Sequence, residues 1–168
     1  RFGVGREVHG KSLLAFAEAK FLQFGRYYNK IDTYIAECKF YQHLVQKAHF
    51  TDSPIIQMNN FLPVNQEYKA FYEHENYILY FGRYAREKGV LTILKAYSKL
   101  KCSEKLVLVG KGSEEEKIHD FVKDNKLENR VQVNGAIFGK EMDKIIEKAK
   151  VVLVPSEWYE NGAFVALQ

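Results

Sequence analysis

The sequence YILYFGRYAREKG at residues 77–89 decides the fold class of the C-terminal part of the chain. Its first five residues, Tyr77–Phe81, are apolar without interruption, which is typical of a strand covered on both faces of a parallel sheet. Three further apolar runs follow it, at residues 106–109, 131–133 and 151–154. We therefore predict four short, buried strands in this part of the chain.

Stretches with helical spacing of apolar residues separate the four runs. In the first of them, Leu91 and Leu94 can face a sheet while Lys95 faces water. Strand–helix–strand units of this length predict a parallel sheet with right-handed crossovers. The fold class is therefore α/β, a Rossmann-like layer with helices on both faces and the usual strand order 3-2-1-4. The helices are predicted at residues 90–100, 113–125 and 140–148.

Residues 1–58 show a different pattern, which predicts two helices and two strands. So few elements do not make an independent domain, and we interpret them as the tail of an N-terminal domain whose first part is absent. Residues 59–76 are predicted as a linker, and residues 77–168 as a second domain, truncated at its C-terminus. In the first part, the helices are predicted at residues 11–28 and 39–48, and the strands at residues 31–36 and 54–58.

Composition narrows the classes of function. Hydrophobic residues make up 46% of the chain and charged residues 27%, as in an ordered soluble globule. A net charge of +4, spread along the chain, permits an anionic small-molecule ligand but not the basic stripe of a nucleic-acid binder. Cys38 and Cys102 lie far apart and the histidines lack ligand spacing, which predicts no metal site and a reducing, cytoplasmic location.

The predicted strand order places a ligand site between the first and fourth strands, because ligands of open parallel sheets bind where the order reverses. After the first strand, Arg83 can hold a phosphate with two parallel hydrogen bonds, and Lys88 can add a point charge. After the fourth strand, Glu160 can accept hydrogen bonds from sugar hydroxyls, and residues 162–164 begin a helix whose free N–H groups suit a diphosphate. These residue types predict a ligand with phosphates at one end and hydroxyls at the other.

The loop after the second strand is predicted to lie outside this site. It leads into Ser113-Glu114-Glu115-Glu116, which has the pattern of a helix capping box. Carboxylates at the positive end of that helix should repel phosphate.

These residues resemble the retaining GT-B glycosyltransferases of family 4, the glycosyl transferases group 1. In that family a strand ends in Gly-Arg and Lys-Gly follows, as Gly82-Arg83 and Lys88-Gly89 do here. A Glu-x7-Glu motif follows the fourth strand of the family, and it is matched here by Glu160 and position 168. The sequences at residues 109–112 and 134–137 also fit the family pattern.

The resemblance implies a hexosyltransferase that moves a sugar from a nucleotide-diphosphate donor to an acceptor with retention of configuration. It implies that Arg83 and Lys88 stabilise the leaving diphosphate and that Glu160 holds the hydroxyls of the donor sugar. No metal or other cofactor is implied, because the two cations supply the charge. The other implied donor-binding residues are Gly82, Gly135, Ala136, Ile137, Asn161, Gly162, Ala163, Phe164 and Gln168.

Three departures from the family pattern matter. Gln168 stands in place of Glu, and losing a charge-assisted hydrogen bond to ribose costs roughly 1 kcal/mol. Ala163 stands where some relatives have Pro, which should matter little. The third departure is that the chain ends early, so we expect this fragment to bind a donor better than it turns one over, and to self-associate through an exposed apolar patch.

The acceptor implied by the resemblance is an unidentified saccharide or lipid-linked saccharide, with peripheral membrane contact in the full-length protein. Two alternatives stay open at this point. One is a non-catalytic Rossmann-like binding module, and the other is a P-loop NTPase, because Gly5–Ser12 matches G-x4-G-K-S. A dehydrogenase is disfavoured, since no G-x-G-x-x-G follows any of the strands.

Overall fold

The computed structural model describes residues 6–61 and 73–160 of the chain. The chain divides into two compact units, Arg1–Asn60 and Phe61–Gln168. The interpretation of the first unit as the tail of an N-terminal domain, which the resemblance makes the acceptor-side domain, stays a prediction. Among the described helices, none combines the length and the hydrophobicity needed to span a bilayer.

The first unit pairs two short parallel strands, with Tyr34 opposite Ile55. The predicted helix at residues 39–48 is confirmed, whereas the predicted first helix ends earlier than expected, at Phe24. Arg26 adopts a left-handed φ of 51°, which ends the helix, and a 3-10 helix follows. The elements are α1 (Arg6–Phe24), the 3-10 helix Tyr27–Lys30, β1 (Tyr34–Ala36), α2 (Lys39–Ala48) and β2 (Ile55–Gln57).

Helix α1 contradicts the P-loop alternative. A phosphate-binding P-loop needs irregular backbone between a strand and a helix, so that free N–H groups can surround the phosphates. Residues 6–12 of the Gly5–Ser12 motif lie instead inside α1, and Gly5 itself lies outside the described residues. The chain therefore matches the P-loop motif in sequence but not in structure.

The second unit is a four-stranded sheet in the order β5-β4-β3-β6, with every pair parallel. This order confirms the predicted 3-2-1-4 arrangement. The fourth strand is shorter than predicted, although the N–H of Leu153 still donates to the carbonyl of Leu79 at 2.8 Å. The elements are β3 (Tyr77–Phe81), the 3-10 helix Arg86–Lys88, α3 (Val90–Tyr97), β4 (Lys105–Val109), α4 (Glu115–Asp124), β5 (Val131–Asn134), α5 (Lys140–Lys148) and β6 (Val151–Val152).

Helices cover both faces of this sheet, as predicted. On one face, Tyr80 of β3 packs in a buried cluster with residues of α3 and α4, such as Leu94 and Ile118. On the other face, Leu79 packs with Met142 of α5. Burial on both faces explains why the strands are almost continuously apolar. The paired ends of β3, β4 and β5 then bring three loops to one edge of the sheet.

Candidate functional site

The loop after β3 starts with a sharp change of backbone direction at Gly82, where φ is +143°. The N–H of Gly82 still donates to the carbonyl of Val109 at 2.9 Å, which extends the ladder to the next strand. The hydroxyl of Tyr80 donates to the carbonyl of Arg83 at 2.8 Å. Because burial raises the pKa of Tyr80 to about 12, this hydroxyl remains a donor at neutral pH. Arg83 is therefore presented from a fixed backbone.

Two glycines allow the loops after β3 and β4 to touch through their backbones. A Cβ on Gly110 would overlap the carbonyl oxygen of Gly82, and a Cβ on Gly112 would overlap the carbonyl of Tyr84. No side chain fits at either position without moving backbone. The Gly-x-Gly pattern after β4 thus serves close packing of two loops at the edge of the sheet.

Tyr84, a residue that the sequence did not single out, connects the loops that follow β3 and β4 with the end of β5. Its side chain is fully buried, and its hydroxyl donates to the carbonyl of Asn134 at 2.9 Å. Its N–H donates to the carbonyl of Lys111, and its carbonyl accepts from the N–H of Glu114, both at 2.9 Å. Burial raises the pKa of Tyr84, so the hydroxyl keeps its proton.

A second close contact joins the loop after β3 to the loop after β6. Gly89 has a φ of +69°, and a Cβ there would overlap the carbonyl oxygen of Pro155. The N–H of Glu157 donates to the carbonyl of Glu87 at 2.9 Å, and the Glu157 carboxylate accepts a hydrogen bond from the hydroxyl of Thr92. Between β3 and β6, the predicted crevice is therefore formed by loops that are bonded to each other.

Lys88 and Glu160 meet in this crevice. Their side chains form an ion pair although they lie 72 residues apart in the sequence. The hydroxyl of Ser156 donates to the same Glu160 oxygen at 2.6 Å. The hydrogen bond from Lys88, followed by the one from Ser156, lowers the pKa of Glu160. A carboxylate held in its charged form can accept hydrogen bonds from hydroxyl groups, and an ammonium can donate them to phosphate oxygens.

We expect this pairing to make the free energy of unfolding depend on pH on the acid side. The pKa of Glu160 is lower in the folded chain than in the unfolded chain, so its stabilisation is complete above its ordinary pKa and is lost as pH falls through the lowered value. The variant Glu160→Gln does not titrate there. In urea unfolding between roughly pH 6 and roughly pH 3, it should lose less stability than the wild-type chain. Parallel losses in the two chains would contradict the assignment.

Arg83 occupies a more open position than Lys88. Its side chain is 67% exposed and forms an ion pair at 3.2 Å with Glu87, four residues later. An exposed pair of this kind contributes little to stability, so it holds the guanidinium only loosely. Arg83 also lies at the wall of a neighbouring cavity, which leaves the guanidinium available to a ligand.

This cavity lies at the carboxyl ends of β3, β4 and β5 and has a volume of about 480 Å³. Of the predicted site residues, Gly82, Arg83, Ala136 and Ile137 line it, and Gly135 lies beside it under the side chain of Lys111. Lys88 and Glu160 do not belong to its lining. Phe138, which belongs to the same predicted base-contacting loop (residues 135–138) as Ala136 and Ile137, also lines it. The remaining lining residues, which the sequence did not single out as ligand contacts, are Phe81, Val109, Gly110, Lys111, Gly139, Met142 and Asp143.

The loop after the second strand, which was predicted to lie outside the ligand site, contributes Gly110 and Lys111 to the wall of this cavity. That its carboxylates repel phosphate stays a prediction. The predicted capping box is not formed: the N-cap of α4 is Glu114, which makes no side-chain cap hydrogen bond. Glu114 is buried and pairs with Lys117 at 2.7 Å. Its charge is therefore balanced by a neighbouring lysine.

Five residues of the predicted site lie outside the described part of the chain: Asn161, Gly162, Ala163, Phe164 and Gln168. Their predicted contacts with the sugar, the phosphates and the ribose therefore stay predictions. Within residues 6–61 and 73–160, no group of three or more His, Cys, Asp or Glu side chains is placed to hold a metal ion.

The fold of the chain is that of GT-B glycosyltransferases, as comparison with solved structures shows. TarM of S. aureus, in a crystal structure with fondaparinux, alpha-GlcNAc-glycerol and UDP, is similar with a TM-score of 0.70 and 21% identity over 82% of this chain and 27% of TarM. HepE of Anabaena, in complex with UDP and glucose, is similar with a TM-score of 0.68 and 18% identity over 82% of this chain and 41% of HepE.

The chain belongs to the family described as glycosyl transferases group 1, whose model matches residues 63–168. An uncharacterized glycosyltransferase of Methanocaldococcus jannaschii is 30% identical over 98 residues, which make up 57% of this chain and 25% of that protein. The chain thus spans about a quarter of the length of this relative and of TarM.

Proposed function

We propose that this chain binds a nucleotide-diphosphate sugar and that the whole protein transfers the sugar to an acceptor with retention of configuration, as a hexosyltransferase of family 4. The observation that carries the proposal is the contact of Lys88 with Glu160 at the reversal of strand order. A cation for phosphate and a carboxylate for hydroxyls meet there, beside a cavity that suits a nucleoside. The complexes of TarM with UDP and of HepE with UDP and glucose support the same class of ligand.

Each residue has a separate part in this proposal. Lys88 has three N–H donors, so it can keep its bond to Glu160 while it donates to the diphosphate. Arg83 neutralises the phosphates from the open side, and Glu160 accepts hydrogen bonds from the sugar hydroxyls. The base lies in the cavity against Ile137 and Phe138.

Charge at the leaving diphosphate comes, in this proposal, from Arg83 and Lys88, so the reaction needs no metal ion. The proposed acceptor is a saccharide or a lipid-linked saccharide, which makes the protein an enzyme of carbohydrate biosynthesis. We place it in the cytoplasm because Cys38 and Cys102 are both free thiols.

Replacing Arg83 by glutamine tests the diphosphate site. Titration of the chain with UDP, GDP and ADP, by calorimetry and with either Mg²⁺ or EDTA present, should show that at least one of them binds. In Arg83→Gln its affinity should fall by about tenfold, the modest loss expected for one exposed charge-assisted contact. Affinity for the parent nucleoside should not change.

Arg86→Gln is the matched control, because Arg86 lies three residues away and does not line the cavity. An equal loss in Arg86→Gln would show attraction by net charge alone. Unchanged affinity in Arg83→Gln would contradict the proposed position of the diphosphate and would favour a binding module of another kind.

A further inference from the structure

We infer that Ser156 is a positioning residue for the donor sugar: its hydroxyl holds the Glu160 carboxylate in place while Lys88 donates to the diphosphate. The inference rests on the proposed function, since it concerns the same donor. Ser156 was not among the predicted site residues. In this inference it acts on the sugar through Glu160 and does not touch the ligand itself.

The backbone places Ser156 opposite Lys88. These are the middle residues of two short segments, residues 155–157 and residues 87–89, which are joined on either side of them. Both side chains therefore start from backbone that is held at two points, and both reach Glu160. The joined pairs are Glu157 with Glu87, through an N–H···O hydrogen bond of 2.9 Å, and Gly89 with Pro155, through a backbone contact that leaves no space for a Cβ.

The two middle residues donate to the same oxygen of Glu160. The ammonium of Lys88 and the hydroxyl of Ser156, the latter at 2.6 Å, both bond Oε1. Within residues 6–61 and 73–160, no group donates to the other oxygen, Oε2. A carboxylate oxygen accepts about two hydrogen bonds, so the protein fills Oε1 and leaves Oε2 for a hydroxyl of the sugar.

Lys88 and Ser156 respond differently when a donor binds. Lys88 carries its charge on a long, flexible stem, and the phosphates attract that charge away from Glu160. The Ser156 hydroxyl is uncharged and sits on a short side chain, so it stays where the anchored segment holds it. Ser156 therefore keeps Oε1 occupied, and the carboxylate oriented, while Lys88 is shared between two anions.

Removing the hydroxyl tests this role. The 168-residue chain is titrated by calorimetry with UDP, GDP, ADP and the glucose conjugate of each. In Ser156→Ala, affinity for the conjugate that the wild-type chain binds most tightly should fall by about fivefold to tenfold, as expected for losing a hydrogen bond to a charged group. Affinity for the corresponding nucleoside diphosphate should change by less than about twofold, because Lys88 and Arg83 remain. Ser156→Thr keeps the hydroxyl and should bind the conjugate as the wild-type chain does.

The carboxyl carbon of Glu160, titrated by ¹³C NMR, provides a second measurement that needs no ligand. Hydrogen bonds from Lys88 and then Ser156 lower the pKa of Glu160, and the charges of Lys88 and Arg83 lower it further. In Ser156→Ala this pKa should rise but stay below its ordinary value, because Lys88 still pairs with the carboxylate. An unchanged pKa would show that Ser156 does not hold the carboxylate and would overturn the inference.

Ser98→Ala is the matched control and should change neither affinity. Ser98 also has a hydroxyl that donates a hydrogen bond, but it lies at the opposite end of α3 from Lys88. Equal losses for the conjugate and the diphosphate in Ser156→Ala would overturn the inference, as would no loss for either. So would a Ser156→Thr chain that unfolds at the wild-type urea concentration but binds like Ser156→Ala.

Failure of the inference is distinguishable from failure of the proposed function. If the conjugate binds and its affinity depends on Arg83 and Glu160 but not on Ser156, the inference fails and the proposed function stands. If the wild-type chain binds none of the diphosphates or their conjugates, the proposed function fails and the inference fails with it.

Discussion

Replacing Gly89 by alanine should lower the free energy of unfolding of the second unit by about 2 to 5 kcal/mol, with two causes that add. The first is conformational: Gly89 has a φ of +69°, and an L-residue in this region costs about 1 to 2 kcal/mol. The second is steric: the new Cβ would overlap the carbonyl oxygen of Pro155, which is backbone and cannot turn away. Relieving that overlap separates the loops after β3 and β6.

Gly139 provides a control for a positive φ without a steric overlap. Its φ of +62° is close to that of Gly89, but its ψ of −149° lies in a region almost restricted to glycine, and a Cβ there would meet nothing within 4 Å. Gly139→Ala should therefore show a conformational cost alone, about 1 to 3 kcal/mol.

Urea unfolding followed by tryptophan fluorescence suits this comparison, because the chain has one tryptophan and Trp158 lies in the loop after β6. The midpoint should shift to lower urea in Gly89→Ala without a change in slope. A loss of about 1 kcal/mol or less in Gly89→Ala would show that Pro155 does not restrict this site.

The sheet could be predicted from the sequence because each strand can be recognised from its local sequence alone. Burial on both faces requires continuous apolar runs, and such runs mark Tyr77–Phe81 and Lys105–Val109 without any knowledge of their partners. The strand order was taken as the usual one of this fold class, and the order in turn located the crevice that holds Lys88 and Glu160. The strands needed only spacing along the chain, whereas the crevice also needed the usual strand order of the class.

The remaining parts of the site depend on contacts between distant segments. In the sequence, Tyr84 cannot be distinguished from an ordinary loop tyrosine. Its role depends on Gly110 and Gly112, which let the loop after β4 approach it. Lys111 lies in a loop that was predicted to repel phosphate because it leads into three glutamates, residues 114–116. In space, the stem of Lys111 lies against Gly135 of another loop, and the buried Glu114 is balanced by Lys117. Local charge patterns do not reveal such pairings.

Replacing Lys88 by methionine should weaken the binding of the preferred nucleoside diphosphate by about 100-fold, more than the loss expected for the exposed Arg83. The Lys88 side chain is only 28% exposed, so its hydrogen bonds to phosphate form with less competition from water than those of Arg83, which is 67% exposed. Methionine keeps most of the length of the side chain and removes the charge. It also leaves Glu160 with Ser156 as its remaining hydrogen-bond partner in the described chain, so the carboxylate then repels the diphosphate.

The repulsion can be separated from the lost contact by a double-mutant cycle with Glu160→Gln. Alone, Glu160→Gln should leave diphosphate affinity unchanged or slightly higher, while it lowers affinity for the nucleotide sugar, whose hydroxyls lose a charged acceptor. Combined with Lys88→Met, it should restore part of the lost diphosphate affinity, because the unpaired carboxylate is gone. If Lys88→Met binds the diphosphate as well as the wild-type chain, Lys88 only holds the loop after β6 in place through Glu160. The proposed contact with phosphate would then be wrong.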